Sequence, residues 1–289
     1  MIVASADGTI AWGVLLREAT DRVGEVAARC IVEECTGAPP GGLHRVLDDP
    51  ATVRGVGRFD ALVARRERGE PLQYVLGHWS FRELDLMVDA RVLIPRPETE
   101  TVAGLAIDEV RARSRGSRDV LVVDLGTGTG AIGLSVAAEC PSARVMATDV
   151  SVDALAVASA NLTGLGRAAT RVSLHHGHWF AALPESSRHM IDVIVSNPPY
   201  VGDHEDLPAI VADWEPAGAL RSGPDGLDDI AQIVDQAGDW LAAAGSLVIE
   251  MAPTQTAVVA RWCEDRGFSA SIHRDLAGRE RAVVARRVP

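Results

Sequence analysis

The stretch Val193-Ile-Val-Ser-Asn-Pro-Pro-Tyr200 joins a run of β-branched residues to two prolines. The run predicts a buried strand, and the prolines end it because neither has an N–H for a sheet ladder. Each proline keeps the preceding residue out of the α region, so we expect Asn197 and Pro198 to be extended. The sequence therefore predicts a stiff loop at the carboxyl end of a strand, where open α/β sheets bind ligands.

The side chains of this loop suit a planar group that carries an NH2. The Asn197 side chain and the Pro198 backbone each offer a carbonyl acceptor, and Tyr200 offers a flat ring. Two acceptors and a ring match an amide or the exocyclic amine of a base. A rigid turn that binds nothing is the other interpretation, and these four residues alone leave both open.

Composition indicates a globular chain with room for two modest domains or one large one. It has 289 residues, of which 47% are hydrophobic, and a formal net charge of −12. The acidic balance argues against a general DNA-binding surface, so we expect no direct nucleic-acid binding. No apolar run approaches roughly 20 residues, so we expect no membrane span. The N-terminus lacks a basic region followed by an apolar stretch, so we expect no signal peptide. Cysteines without a pairing or metal pattern favour reduced thiols in a cytoplasmic protein. The four cysteines have no metal-ligand spacing.

The first part of the chain predicts a small helical domain. Apolar residues recur at helical spacing over residues 9–34 and 52–68, and a short helix is expected near 43–47. From Tyr74 to Ile94, apolar and polar residues alternate, which indicates a hairpin. The predicted organisation is a helical domain at 1–73, a hairpin and linker at 74–97, and a larger α/β domain at 98–289.

The larger domain alternates strand, loop and helix, which predicts a doubly wound sheet. The expected strands are 120–124, 144–149, 172–175, 193–196, 246–251, 269–273 and 282–285. One helix is expected to begin at Pro97 or Thr99. The other expected helices are 131–138, 152–162, 227–243 and 255–266.

A glycine-rich loop follows the first of these strands. Gly128-Thr-Gly-Ala-Ile-Gly133 has the spacing Gly-x-Gly-x-x-Gly, which is also found in dinucleotide sites. Asp124 directly precedes the loop and would repel a pyrophosphate, whereas it suits a ligand with a positive end, such as S-adenosylmethionine. The glycines let a ligand pass close to the backbone. Asp149 ends the next strand and can accept both ribose hydroxyls.

An aromatic residue and three histidines lie near the end of the third strand. Trp179 can stack on an adenine ring or belong to the core. His175, His176 and His178 suggest a metal site. Alternate strand residues face opposite sides, however, and no cysteine or carboxylate completes a ligand set. We therefore expect no metal.

Several motifs occur together in this chain. They are Pro71-Leu-Gln-Tyr74, Ile94-Pro-Arg-Pro-Glu-Thr-Glu100, Asp124-Leu-Gly-Thr-Gly-Thr-Gly130, Asn197-Pro-Pro-Tyr200, Trp214-Glu-Pro216 and Asp225-Gly-Leu227. In combination they closely resemble the bacterial HemK/PrmC family over about residues 70–286. The helical N-terminal region resembles the family in kind, not by motif.

The resemblance implies a fold and an activity. The fold is α/β, a class I S-adenosylmethionine-dependent methyltransferase with a Rossmann-like, seven-stranded, mostly parallel sheet and a small helical N-terminal domain for substrate recognition. The activity is methylation of the amide N5 of the glutamine in the Gly-Gly-Gln motif of class 1 peptide chain release factors, which supports translation termination.

The resemblance also implies the site residues. The cofactor would lie against Asp124, Gly126, Thr127, Gly128, Thr129, Gly130, Asp149, Trp179 and Asn197. The catalytic residues would be Asn197, Pro198, Pro199 and Tyr200, which would also bind the substrate together with Leu93 and Arg96. The chain departs from the family in three places. His178 stands where an acid is frequent, Trp214 replaces a common tyrosine, and Met251-Ala-Pro253 replaces a glycine-containing turn.

An amide nitrogen is a poor nucleophile, because its lone pair is delocalised into the carbonyl. We expect the acceptors of Asn197 and Pro198 to bind both amide hydrogens and to hold the nitrogen in line with the methyl–sulfur bond. The same acceptors would stabilise the positive charge that grows on nitrogen.

Three other functions are open from the sequence: an adenine-N6 DNA methyltransferase, a nicotinamide-dependent oxidoreductase, and a non-catalytic S-adenosylmethionine-binding protein. The acidic charge disfavours the first, and Asp124 disfavours the second. Only a measurement of turnover separates the third.

Overall fold

The structure is a computed structural model that describes residues 9–39, 41–114 and 119–288. These residues form two compact units. The first comprises the described residues up to His78 together with Ala209–Trp214, and the second comprises Trp79–Pro208 and the described residues from Glu215 onward. Among the described residues, no helix combines the length and the apolar character needed to cross a bilayer.

The first unit is built from helices. They are α1 (Trp12–Val23), α2 (Glu25–Thr36), α3 (Val53–Glu67) and α4 (Leu72–Leu76), with a short 3₁₀ turn at Leu43–Arg45. The prediction of one helix over 9–34 is wrong. Gly24 separates α1 from α2 with φ +85°, a backbone conformation that residues other than glycine rarely adopt. The α3 prediction is confirmed, and the Thr52 hydroxyl caps this helix by accepting from the Gly55 N–H.

The core of the first unit lies between these helices. Leu15, Ile31, Phe59 and Val63 are fully buried, and the Trp12 ring packs edge-on against Phe59 at 6.4 Å between centroids. Apolar residues three and four positions apart fall on one helix face, which explains why each helix buries a single stripe.

A hairpin follows the helical region in the chain. Its strands are β1 (His78–Phe81) and β2 (Leu84–Met87). The predicted hairpin began at Tyr74, which instead lies in α4. The following helix, α5 (Pro97–Arg113), begins at one of the two predicted positions, because proline at the first helical position loses no intrahelical hydrogen bond.

The second unit contains a seven-stranded sheet in the order β5-β4-β3-β6-β7-β9-β8. The pairs among β3 to β7 are parallel, and β9 runs antiparallel to both β7 and β8. This confirms the predicted mostly parallel, Rossmann-like sheet. The strands are β3 (Val120–Leu125), β4 (Ala143–Asp149), β5 (Val172–His176), β6 (Ile191–Ser196), β7 (Leu241–Glu250), β8 (Phe268–Arg274) and β9 (Glu280–Arg287).

Helices cover both faces of this sheet. They are α6 (Ala131–Glu139), α7 (Val152–Thr163), α9 (Asp228–Trp240) and α10 (Thr256–Asp265), together with α5; a short helix, α8, spans Ala209–Ala212. Alternate residues of each central strand point to opposite faces, so Val122 and Val193 belong to one buried cluster and Val123 and Ile194 to the other. Burial on both faces explains why the central strands are apolar throughout.

One predicted helix extends too far. Residues 227–243 read as helical, but α9 ends at Trp240 and β7 begins at Leu241. Leu241 is fully buried and pairs with Ile191 at the start of β6. The alanines that follow favour a helix, but pairing with β6 overrides this local preference.

The register of the sheet places the site. Leu125 at the end of β3 pairs with Thr148 of β4 on one side and with Ser196 of β6 on the other. The loops that follow these three strands therefore leave the sheet at the same edge. That edge carries the glycine-rich loop, Asp149 and the Asn-Pro-Pro-Tyr loop.

Candidate active site

A cavity of about 380 Å³ lies at this edge of the sheet. Its volume is in the range of small-molecule sites. Of the residues predicted for the site, those that line it are Leu93, Gly126, Gly128, Asp149, Trp179, Asn197 and Pro199. The structure thus brings together residues that are more than 100 positions apart in the sequence.

The other predicted site residues do not line the cavity. They are Arg96, Asp124, Thr127, Thr129, Gly130, Pro198 and Tyr200. Asp124, Thr127 and Thr129 are buried. The side chains of these three residues form hydrogen bonds within the glycine-rich loop and to the start of α6.

The glycine-rich loop forms its wall from backbone. Gly126, Gly128 and Gly130 have φ values of +71°, +55° and +86°, a region that favours glycine. A Cβ at Gly126 would lie 3.1 Å from the Trp179 ring, and one at Gly130 would lie 2.8 Å from the Leu134 side chain. The first glycine therefore also allows the loop to pack directly on Trp179.

Asp124 holds this loop from behind. Its Oδ2 accepts from the Thr127 hydroxyl at 2.6 Å and from the Gly133 N–H at 2.9 Å, which ties the loop to the start of α6. Its Oδ1 is buried and has no hydrogen-bond partner among the described residues. Burial raises the pKa of the Asp124 carboxyl to about 6, although both hydrogen bonds oppose the rise.

Asp149 connects the glycine-rich loop to α7. Its Oδ2 accepts from the Gly128 N–H and its Oδ1 from the Ser151 N–H, each at 2.9 Å. Burial raises the pKa of this carboxyl. Each carboxylate oxygen can accept a second hydrogen bond, so Asp149 can still bind hydroxyl groups of a ligand in the cavity.

Trp179 lines the cavity next to Gly126. It is 9% exposed, has φ +44°, and donates its indole N–H to Asp229 Oδ1 at 3.1 Å. Asp229 and His178 also line the cavity, and sequence reasoning gave Asp229 no role. No signal in the sequence pointed to Asp229, because it lies 50 residues from its partner.

Two of the three histidines that suggested a metal site bond to different partners. The His175 ring bonds the Ser173 hydroxyl at 2.8 Å, and the His176 ring bonds the Val150 carbonyl at 3.0 Å. Over residues 9–39, 41–114 and 119–288, no group of three histidine, cysteine or carboxylate side chains is placed to hold a metal ion.

The Asn197 side chain is oriented by α5. Its Nδ2 donates to the Thr99 hydroxyl at 3.2 Å, and Thr99 lies buried in the first turn of that helix. Because the amide nitrogen is bonded on this side, the side-chain carbonyl Oδ1 is left as an acceptor. Thr99 belongs to the Ile94–Glu100 motif, but sequence reasoning considered it only as a helix start.

Tyr200 contacts a buried acid. Its hydroxyl lies 3.4 Å from Glu250 Oε1 at the end of β7, and Glu250 is 1% exposed. Burial raises the pKa of the Glu250 carboxyl to about 7, and burial beside this acid raises the pKa of Tyr200. The site therefore contains a buried carboxyl group whose pKa is raised above its ordinary value.

Gln255 connects three loops. Its Nε2 lies 3.0 Å from the Tyr200 carbonyl, 3.1 Å from the Asp225 carbonyl and 3.2 Å from the Gly226 carbonyl, while its Oε1 accepts from the Ala252 N–H at 3.0 Å. Gln255 is buried. Its contacts hold the backbone of the Asn-Pro-Pro-Tyr loop against the loop that precedes α9.

Arg96 pairs with Glu215, which is buried. The other oxygen of Glu215 accepts from the Ile94 N–H at 3.2 Å. One carboxylate therefore fixes both the backbone and the guanidinium of the proline-rich segment. Glu215 lies in the Trp214-Glu-Pro216 motif, but sequence reasoning assigned it no contact.

Fold and site define a class of protein. A seven-stranded sheet in this order, a glycine-rich loop after β3, an acid at the end of β4 and Asn-Pro-Pro-Tyr after β6 define a class I methyltransferase. Two family models match the chain: the PrmC N-terminal domain over residues 11–77 and the methyltransferase small domain over residues 109–214.

The chain belongs to the release factor glutamine methyltransferase family. It is 41% identical to the release factor glutamine methyltransferase of Streptomyces coelicolor, over 87% of this chain and 86% of that protein. It is 38% identical to the one of Rhodopirellula baltica, over 78% and 76% of the two chains. It also shares its fold with the T. Thermophilus 16S rRNA N2 G1207 methyltransferase in complex with AdoMet and guanosine (TM-score 0.51, 16% identity, 73% of this chain and 50% of that chain).

Proposed function

We propose that this chain transfers a methyl group from S-adenosylmethionine to the N5 amide nitrogen of the glutamine in the Gly-Gly-Gln motif of class 1 peptide chain release factors. The names of its curated relatives support this substrate. The observation that carries the proposal is the orientation of Asn197. Its Nδ2 is bonded to Thr99, so its Oδ1 remains to accept a hydrogen bond from an amide NH2 at the cavity.

The residues present fit S-adenosylmethionine, which supplies an electrophilic methyl group when bound. The backbone of Gly126 and Gly128 lets a ligand approach closely, and Asp149 offers acceptors for ribose hydroxyls. Trp179 offers an aromatic face beside them. Asp124 adds negative charge behind the loop, which suits a ligand with ammonium and sulfonium groups.

The Asn-Pro-Pro-Tyr loop orients the acceptor. Oδ1 of Asn197 and the carbonyl of Pro198 accept the two hydrogens of the glutamine amide and hold its nitrogen in a near-attack position. Both oxygens carry partial negative charge, so they stabilise the positive charge that develops on nitrogen. The nitrogen becomes strongly acidic once methylated, so its proton leaves to water without a dedicated base.

The remaining parts of the chain have proposed roles in recognition. We assign the helical region at 1–73 to recognition of the release factor. The segment 74–97 is a hairpin and linker, in which Leu93 and Arg96 contact the substrate. Residues 98–289 carry out catalysis. Leu93 lines the cavity and Arg96 is fixed by Glu215, which supports these two assignments. A release factor acts in translation, so the cytoplasm is the proposed location.

The experiment is methyl transfer followed by tandem mass spectrometry. The full chain is incubated with a release factor and S-adenosylmethionine that carries a deuterated methyl group. The expected product is a release factor labelled once, on the side chain of the loop glutamine. A release factor with asparagine in place of that glutamine is the matched control, and it should remain unlabelled.

Two further acceptors test the alternatives. Double-stranded DNA that contains adenine is offered under the same conditions, and label in DNA without label in the release factor would contradict the proposal. Binding of S-adenosylmethionine without transfer to either acceptor would instead identify a non-catalytic binding protein.

A further inference from the structure

A buried polar cluster lies behind the Asn-Pro-Pro-Tyr loop. It joins three elements: Thr99 from the first turn of α5, Glu250 from the end of β7, and Asn197 and Tyr200 from the loop itself. Thr99 and Glu250 are 3% and 1% exposed. Neither lines the cavity.

The hydrogen bonds of this cluster have a direction. Asn197 Nδ2 carries only donors, so the Thr99 hydroxyl accepts from it at 3.2 Å. The hydrogen of that hydroxyl then needs an acceptor on its other side, because an unsatisfied buried donor costs free energy. The Thr99 hydroxyl lowers the pKa of the buried Glu250 carboxyl, so this acid is the acceptor that we assign to the hydroxyl hydrogen.

We propose that Thr99 and Glu250 are positioning residues that fix the orientation of the Asn197 side-chain amide, so that Oδ1 and not Nδ2 is presented to the acceptor nitrogen. This inference rests on the proposed function and deepens it. Rotation of the amide by half a turn would place a donor against the NH2 of the substrate. Two donors cannot bond one another, so the rotated form cannot bind the acceptor amide.

The surroundings of Glu250 support a functional role. Its Oε2 and the Nε of Arg281 are both buried without a hydrogen-bond partner among the described residues. Burial without full pairing is unfavourable for stability, and it raises the pKa of Glu250 to about 7. Groups held in such unfavourable states occur preferentially at functional sites.

The test compares Thr99→Val with Thr99→Ser. Valine keeps the shape of the side chain but removes the hydroxyl, whereas serine keeps the hydroxyl. We expect Thr99→Val to slow single-turnover methyl transfer by about tenfold or more, with the affinity for S-adenosylhomocysteine changed by less than about twofold. Thr99→Ser should transfer within about threefold of wild type. Thr101→Val, in the same helix, controls for the loss of any hydroxyl.

A double-mutant cycle separates positioning from general structural damage. If Thr99 acts through Asn197, Thr99→Val should have little further effect in an Asn197→Ala background, because the group it orients is absent. If the two effects multiply instead, the inference is overturned. A wild-type transfer rate in Thr99→Val would overturn it as well.

A second measurement does not depend on which acceptor is methylated. Hydrogen exchange of the Asn197 side-chain NH2, followed by NMR, should be slow in wild type and in Thr99→Ser and faster in Thr99→Val. Unchanged exchange in Thr99→Val would overturn the inference. If exchange responds as expected but the release factor gains no methyl group, the positioning role stands and the proposed substrate fails.

Discussion

The glycine-rich loop and the Asn-Pro-Pro-Tyr loop form two walls of one cavity by different means. The first presents backbone, and its acids, Asp124 and Asp149, bond the loop itself. The second presents the Asn197 side chain, which other side chains orient. A backbone wall shapes a binding site, whereas an oriented side chain can act on the reacting group. Substitutions in the two loops should therefore affect different steps.

Asn197→Ala should give the largest effect and concern only the transfer step. It removes an acceptor aimed at developing charge, and loss of one such group costs about 100- to 1,000-fold in rate. Single-turnover transfer should fall by that order, while the affinity for S-adenosylhomocysteine, measured by titration calorimetry, should stay within about threefold of wild type. A fall in affinity with an unchanged transfer rate would reverse the roles of the two loops.

Glu250→Gln should change how stability depends on pH. Burial raises the pKa of Glu250 from its ordinary 4.5 to about 7, so the folded state binds the proton more tightly than the unfolded state. The wild type should therefore lose stability as the pH rises between these values, by up to about 3 kcal/mol. Glutamine cannot ionise, so the variant should not show this loss.

Chemical unfolding at several pH values measures this difference. Glu264→Gln, at an exposed position of α10, is the control and should follow the wild type. A Glu250→Gln variant whose stability falls in parallel with that of the wild type would show that this acid ionises normally beneath the loop.

Asp149→Ala should affect binding and leave transfer intact. The carboxylate holds the Gly128 and Ser151 N–H groups and faces the cavity. Loss of this carboxylate should weaken the binding of S-adenosylhomocysteine by about 2 kcal/mol, or about 30-fold in affinity. At saturating S-adenosylmethionine the single-turnover rate should remain within about threefold of wild type.

Asp153→Ala, an exposed position in the first turn of α7, is the matched control and should bind as the wild type does. An Asp149→Ala variant that binds normally but transfers slowly would remove the distinction between the two walls.

Gln255→Leu should give the smallest effect and concern stability. Leucine cannot bond the carbonyls of Tyr200, Asp225 and Gly226, so buried acceptors lose a donor. We expect a loss of about 1–2 kcal/mol in the free energy of unfolding. Gln236→Leu, at an exposed position of α9, is the control, and its free energy of unfolding should be close to that of the wild type. Equal stability of both variants would show that the Gln255 contacts do not hold the second wall.

The two walls also differ in how far the sequence predicts them. The glycine-rich loop is local, because Asp124 and Gly133 lie nine positions apart in one strand-loop-helix unit. The support of the other wall is not local: Thr99 and Asn197 are 98 positions apart, and Tyr200 and Glu250 are 50 apart. No periodicity or motif spacing links such residues, so only the folded chain reveals their contacts.

The same distinction applies to the fold. Apolar runs and glycine loops predict the order of strands and helices from β3 to β6, because each element carries its own local pattern. The break at Gly24 lies inside a continuous helical pattern, and the end of α9 is set by pairing between Leu241 and Ile191. Local propensity does not contain information about pairing between distant strands.

The most direct test is a crystal structure of the chain with S-adenosylhomocysteine and a peptide that contains Gly-Gly-Gln. We predict that the glutamine amide nitrogen lies within about 3.2 Å of both Asn197 Oδ1 and the Pro198 carbonyl. The Asn197 Nδ2–Thr99 hydrogen bond should be retained in that structure. If the amide binds elsewhere, or if Asn197 turns its Nδ2 toward the glutamine nitrogen, then Asn197 does not have the proposed role in methyl transfer.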